Sequence, residues 1–227
     1  MPFIGNKPSA VPLTSADITD GIITSAKIAD GTIVNADINA SAAIDASKLT
    51  GLSSDFVLLA TTDASNSASV SFDGYFSSTY KNYRLIISNL LPATDATILR
   101  LRVRISNADK TDSYYTGATD GSSRQSGSGA FEKADTWNDT SFKVQVSNLA
   151  NNDNLSTYNG EFIFHDPFGT SYKKVINYKE THTDNTNYFT GQGGGVYFGS
   201  NSALSGFTFF MSSGNISVGN FKLYGIK

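Results

Sequence analysis

Fifteen phenylalanines, eleven tyrosines and one tryptophan are distributed over 227 residues, and only Phe3 lies before Phe56. A globular core of ordinary size is built largely from such side chains, so residues 1–52 cannot make one alone. The break near Gly51-Leu52-Ser53-Ser54 divides the chain into a small-residue N-terminal segment and an aromatic-rich domain at 53–227.

The N-terminal segment repeats every ten residues. Ile recurs at 18, 28 and 38, Ala at 16, 26, 36 and 46, and Asp-Gly at 20–21 and 30–31. A period of ten misses both 3.5 and 3.6, which argues against a coiled coil. Asp-Gly signals a turn, and Ile-Ile-Thr or Thr-Ile-Val signals a strand, so each unit reads as short strand plus turn. One Ile pair per ten residues buries too little to offset the ordering entropy of a single chain. The repeat therefore needs neighbours, and copies arranged around a symmetry axis supply them. On this reading Ile18, Ile23, Ile28, Ile33, Ile38, Ile44 and Leu49 form the core of a homotrimeric shaft at 13–52. The alternative is an Ala/Ser/Asp linker that never folds; the regular Ile positions favour assembly.

Beyond residue 53 the period changes to two. Leu99, Leu101, Val103 and Ile105 alternate with Arg100, Arg102, Arg104 and Ser106, and Tyr83, Leu85 and Ile87 mark the strand before them. Further candidates are 56–61, 69–72, 142–146, 160–164, 172–178, 195–198, 207–211 and 221–224. Sustained helical spacing is absent. The expected fold is all-β: an extended repeat-bearing segment followed by an antiparallel β-sandwich, jelly-roll-like in the strand count. Two stretches, 107–140 and 180–194, read as long loops. The run Gly191-Gln192-Gly193-Gly194-Gly195 reads as a tight turn.

Composition removes several function classes. There is no cysteine, which excludes disulfides, zinc–thiolate sites and thiol catalysis. A net charge of −3 is a poor match to a phosphate backbone, so nucleic acid is not an expected partner. No apolar run approaches the roughly 18 residues of a membrane span, so no membrane insertion is expected, and the N-terminus carries no signal-peptide pattern. Nucleophile elbow, phosphate loop and His-Glu-x-x-His motifs are missing. His165-Asp166 offers an imidazole and a carboxylate, but the following Pro167 makes a strand-end turn the better reading. Asp73, Asp112, Asp120, Asp135 and Asp139 are expected to be ordinary solvated acids. No catalytic residue, metal ligand or cofactor is assigned.

Binding features are more suggestive. Tyr114, Tyr115, Arg124 and Trp137 lie in one presumed loop among Ser, Gly and Asp. Aromatic faces stack on sugar rings while polar groups meet hydroxyls, so these four are candidate glycan contacts. Equally, Trp137 and one Tyr would serve to anchor the loop. The stripe Arg100, Arg102 and Arg104 could meet an anionic sugar or a virion partner, but a solvated outer face or cross-strand pairing with Asp or Glu is the favoured reading.

Three short stretches resemble bacteriophage tail-fibre and collar-type proteins. They are the opening Phe3-Ile4-Gly5-Asn6-Lys7-Pro8; the repeat segment with units Ile18–Ile23 and Ile28–Ile33, carrying Ala29-Asp30-Gly31-Thr32-Ile33 and Asn35-Ala36-Asp37-Ile38; and the end, Ser212–Lys227, with Val218-Gly219-Asn220-Phe221-Lys222-Leu223-Tyr224-Gly225. Together they cover about a third of the chain. The resemblance implies a virion fibre in which residues 1–12 attach to other virion proteins through Phe3, Ile4, Gly5, Asn6 and Pro8. It implies a trimeric shaft, and a tip that meets a host surface polysaccharide. Such a protein would be assembled in the bacterial cytoplasm and reside on the phage tail, collar or capsid. A purely structural head-decoration fibre or tail adaptor is the first alternative, and a glycan depolymerase is the second.

Overall fold

The computed structural model describes residues 14–39, 41–45, 54–124, 127–145, 148–151, 157–183 and 187–227. The attachment residues Phe3, Ile4, Gly5, Asn6 and Pro8, with the rest of 1–12, and the shaft residue Leu49 lie outside them. The chain divides into two compact units, Met1–Leu52 and Ser53–Lys227.

In the first unit the decapeptide is a pair of turns. A 3₁₀ turn spans Ser15–Asp17, Ser25–Lys27 and Asn35–Asp37. It is closed each time by an amide donating three residues back: Asp17 to Thr14, Lys27 to Thr24 and Asp37 to Val34, at 2.9–3.0 Å. Five residues on, Ile22 donates to Thr19 and Thr32 to Ala29, both at 3.1 Å, across the Asp-Gly corners. Gly21 and Gly31 both sit at φ +78°, the left-handed position a type II turn requires at its third residue. The expected strands do not form: among residues 14–45 the described backbone contains none. Only two or three extended residues separate successive turns, and a strand needs a ladder partner that one such unit cannot give itself. Ile18, Ile23, Ile28, Ile33, Ile38 and Ile44 are all exposed, as are Ile22 and Val34.

The second unit is a two-sheet antiparallel β-sandwich. Its strands are β1 (Phe56–Ser67), β2 (Val70–Asp73), β3 (Asn82–Pro92), β4 (Leu99–Ile105), β5 (Ala108–Asp109), β6 (Tyr114–Arg124), β7 (Gly127–Asp139), β8 (Phe142–Lys143), β9 (Tyr158–His165), β10 (Lys174–Thr183), β11 (Asn187–Tyr197), β12 (Gly206–Met211) and β13 (Ile216–Ile226). The large sheet runs β1-β13-β3-β9-β10-β11-β6-β7, and the small one β2-β12-β4-β5 with β8 also on β4. The subsets β1-β13-β3-β9 and β2-β12-β4-β8 are the two four-stranded orders of a jelly roll. The remaining long strands are two inserted hairpins, β6–β7 and β10–β11, which double the width of the first sheet.

Those hairpins are the two stretches that read as loops. Residues 107–140 and 180–194 are mostly strand, and the glycine run lies inside β11, paired on both sides by β10 and β6 rather than turning. Their Ser, Gly, Asn and Thr content hides the alternation; neighbouring strands, not intrinsic preference, hold them extended. Conversely, among the described residues of the candidate strand at 142–146, the ladder to β4 holds Phe142–Lys143, with the Val144 amide donating to the Leu99 carbonyl at 3.3 Å.

Between the sheets the core is aromatic. Phe207 stacks on Phe164 at 4.5 Å and on Phe72 at 5.1 Å, and Phe209 meets Phe162 edge-on at 5.0 Å. Leu99, Leu101 and Val103 point inward, fully buried, as their alternation requires. Outward, Arg100 pairs with Asp139 at 3.3 Å, and Arg104 with Asp73 at 2.9 Å and Asp109 at 2.6 Å. Arg102 donates to the Thr140 carbonyl and lies over the Phe210 ring. This row is accordingly a paired outer face.

Candidate functional site

The inserted hairpins give the large sheet a broad outer face, and that face is hollow. Strand alternation turns Arg84 and Ile86 of β3, Glu161, Ile163 and His165 of β9, and Asn177, Lys179 and Thr181 of β10 outward. Across β11 and β6 the outward positions include Gln192, Gly194, Gly117 and Thr119, where two glycines leave no side chain to fill the surface. The result is two adjoining depressions of about 620 and 690 Å³ that share Thr119, Glu161, Lys179 and Gln192 in their walls. Glu161 is held by Arg84 at 2.9 Å, and Asn177 meets His165 at 3.3 Å, so the polar groups are positioned rather than free-swinging. Carboxamides, hydroxyls, one lysine and a fixed carboxylate over a pleated floor form a donor and acceptor array suited to hydroxyl-rich ligands.

An aromatic cluster stands at one end of the same face. Tyr115 contacts Trp137 edge-on at 5.7 Å and Phe198 at 4.9 Å. Trp137 is 81% exposed, which removes it as an anchor and leaves its ring available. Tyr114 takes the anchoring role instead. It points inward, fully buried, its hydroxyl donating to the Lys110 carbonyl at 2.8 Å and accepting from the Val103 amide at 2.9 Å. Burial pushes its phenol well above the ordinary tyrosine range. Tyr114 is therefore withdrawn as a glycan contact; adjacent residues of a strand face opposite ways. Arg124 ends β6, where its backbone pairs with Gly127 of β7 and Asn187 of β11. Nine residues of strand put it about 30 Å from Tyr115, so the two positions lie at opposite ends of β6.

Behind this face lies a cluster that the sequence reading did not assemble. Asp120 on β6 and Glu180 and His182 on β10 all point inward and are at most 3% exposed. One ligand-capable atom of each lies within 4.8 Å of the other two. His182 Nδ1 is 2.8 Å from Glu180 Oε2, and the Phe189 ring stacks on the imidazole at 4.8 Å. Burial pushes the Glu180 carboxyl above its usual range, with the His182 contact working against that shift. Asp120 is thus no solvated loop acid, and Asp73 and Asp139 are engaged with arginines. His165, the histidine that had drawn attention, is exposed on the outer face, and Asp166 follows it at the end of β9 at φ 41°. The legible signal was Glu180-Thr181-His182, since residues two apart in a strand share a face. Asp120 joins them only through ladder register. No family model, curated protein or solved structure matches the chain.

Proposed function

We propose that the protein is a structural component of a bacteriophage virion. In this reading it is a homotrimeric fibre whose jelly roll recognises a host surface polysaccharide and performs no chemistry on it. The observation that carries the reading is the first unit: eight large aliphatic side chains are exposed, with Ile18, Ile23, Ile28, Ile33 and Ile38 at a fixed interval, on a backbone that repeats its turn hydrogen bonds every ten residues. Such a row is stable only when covered, and three copies of the same row around one axis cover one another. The tail-fibre resemblance of the opening, the repeats and the closing strand supports the assignment to a virion. Attachment through residues 1–12 follows from that resemblance.

For the tip, the outer trough supports polysaccharide over protein as the ligand. Its walls set Glu161, Lys179, Asn177, Gln192 and Thr119 among apolar surface and its floor is glycine-rich, while Tyr115, Trp137 and Phe198 offer ring faces at one end. Three weak tip sites on one fibre would add through multivalency. The test is adsorption competition by full-length protein, beside light scattering of the same sample. The expected mass is three times the 24.2 kDa chain, and wild-type protein slows adsorption while Trp137→Ala and Lys179→Ala proteins of equal stability do not. A monomeric mass would remove the fibre. A trimer that leaves adsorption unchanged would move the protein to a decoration or adaptor role, and release of reducing ends from host polysaccharide would make it a depolymerase.

A further inference from the structure

One rung of the large sheet is built unlike its neighbours. Reading across β9, β10, β11 and β6, the directly paired residues are Gly160, Glu180, Gly191 and Asp120. Glycine and carboxylate alternate, and both glycines make room on the inner side. A Cβ on Gly191 would collide with Asp120 Oδ1 and Glu180 Oε1 together, so both oxygens occupy the space a side chain would have taken. A Cβ on Gly160 would come within 2.7 Å of the Tyr158 hydroxyl. That hydroxyl belongs to a fully buried ring beside His182, and burial first, then the Glu180 charge, pushes its phenol above the ordinary tyrosine range.

Glu180, His182 and Tyr158 each present a buried polar atom that the described residues leave unmet. Carboxylates in a buried site carry a large desolvation cost unless compensated. No donor reaches Glu180 Oε1, and neither His182 Nε2 nor the Tyr158 hydroxyl has a hydrogen-bond partner among the described residues. A proton shared between Asp120 and Glu180 would satisfy one edge of the cluster and leave the phenol as it is. A cation draws one ligand atom each of Asp120, Glu180 and His182 to one point, meeting one of the two imidazole nitrogens. One imidazole nitrogen with two carboxylates is a donor set for zinc and its first-row neighbours. The buried nitrogen ligand disfavours calcium, and magnesium would need waters around it.

We propose that Asp120, Glu180 and His182 bind one divalent transition-metal ion, zinc or manganese by donor chemistry, with the Tyr158 hydroxyl at its side. The ion is structural. It lies inside the sandwich, away from the outer trough, and ties inserted hairpin β6–β7 to inserted hairpin β10–β11 across β11. Sites of this kind gain their ion as the chain folds, so the binding energy contributes to fold stability. The inference does not depend on the fibre reading, since it uses only residues within one sandwich.

The experiment is elemental analysis of full-length, tag-free protein purified without chelator, followed by chelation and return of Zn²⁺ or Mn²⁺. About one ion per chain is expected; one ion per three chains would instead place the metal on a symmetry axis and overturn this site. Returning the ion at a hundredfold excess over its dissociation constant should raise Tm by about 5–10 °C. His182→Gln and Asp120→Asn should each abolish that response. Should either variant fail to fold, Co²⁺ exchanged into the wild-type protein gives a readout that needs no variant, namely visible absorption bands that Zn²⁺ displaces. Metal-free wild-type protein whose Tm ignores added Zn²⁺ and Mn²⁺ would overturn the proposal in favour of the shared proton.

Discussion

Isoleucine meets opposite fates in the two units. In the repeat, Ile18, Ile28 and Ile38 are 39–44% exposed, whereas in the sandwich Ile87, Ile176 and Ile216 are at most 3% exposed. The residue is the same; the hydrogen bonds around it differ. Among the described residues the backbone bonds that close turns in the repeat join residues two or three apart, and such bonds create corners without creating a second layer. In the sandwich the β1–β13 and β3–β13 ladders join residues more than a hundred apart, and such pairing brings one apolar face against another. Burial therefore follows from long-range pairing, and a segment limited to local turns cannot bury its side chains within itself.

The largest expected effect tests that statement directly. Replacing Ile28 and Ile38 by serine removes six isoleucines from the proposed trimer core. Each is worth about 1.5–3 kcal/mol if fully buried there, enough to return the protein to single chains in light scattering. The melting of the sandwich should not move. A double variant that stays trimeric would place association in the sandwich and break the comparison. Phe207→Ala is the converse. Its ring is fully buried between Phe164 and Phe72, and truncation should cost the sandwich about 3–5 kcal/mol in urea unfolding while the protein remains trimeric.

What was legible in the chain follows the same division. The jelly-roll strands carry their pattern openly: Leu99, Leu101 and Val103 alternate with paired arginines because one face meets a core and the other meets water. The repeat's period and its Asp-Gly corners were equally open. Its strands were a misreading, because Ile-Ile-Thr carries strand preference without carrying a strand partner. The inserted hairpins were hidden for a different reason. Their inward positions include Gly191, Gly193, Asp120 and Glu180, so the buried face is small and polar and reads like a loop. The outer trough and the buried cluster both depend on register between β6, β10 and β11, which is set by neighbours rather than by local preference.

Glycines sharpen the contrast at a smaller scale. Gly191 is required for space, since any side chain would meet two carboxylate oxygens, whereas Gly31 is required for its φ of +78°, with nothing within 4 Å of a Cβ. Gly191→Ala should therefore cost the sandwich about 1–3 kcal/mol by overpacking. Gly31→Ala should cost roughly 1–2 kcal/mol, felt only by the repeat, through backbone strain. Urea unfolding followed by tyrosine and tryptophan fluorescence separates them, because every aromatic residue beyond Phe3 belongs to the second unit. A fluorescence-detected loss in Gly31→Ala would show that the units are not energetically separate.

The smallest effect concerns a single exposed carboxylate. Asp17 Oδ2 accepts the Thr14 amide at 2.8 Å and the Thr14 hydroxyl at 2.7 Å, and these bonds hold its carboxyl below the ordinary range near 3.8. A carboxyl whose folded value is depressed stabilises the turn above the unfolded value, and that contribution is lost as pH falls through the folded value. The first 3₁₀ turn should accordingly loosen only in acid, visible in an NMR titration of the Asp17 carboxyl carbon. Thr14→Val deletes the hydroxyl donor and keeps the amide, so the Asp17 midpoint should rise toward the ordinary value without reaching it. The same titration in the Ile28, Ile38 double variant then decides whether the turn needs its neighbours. Because both donors come from a residue three positions away in the same chain, the depressed midpoint should persist in the single chain. A midpoint that returns to 3.8 on dissociation would mean that assembly, rather than local bonding, shapes the repeat.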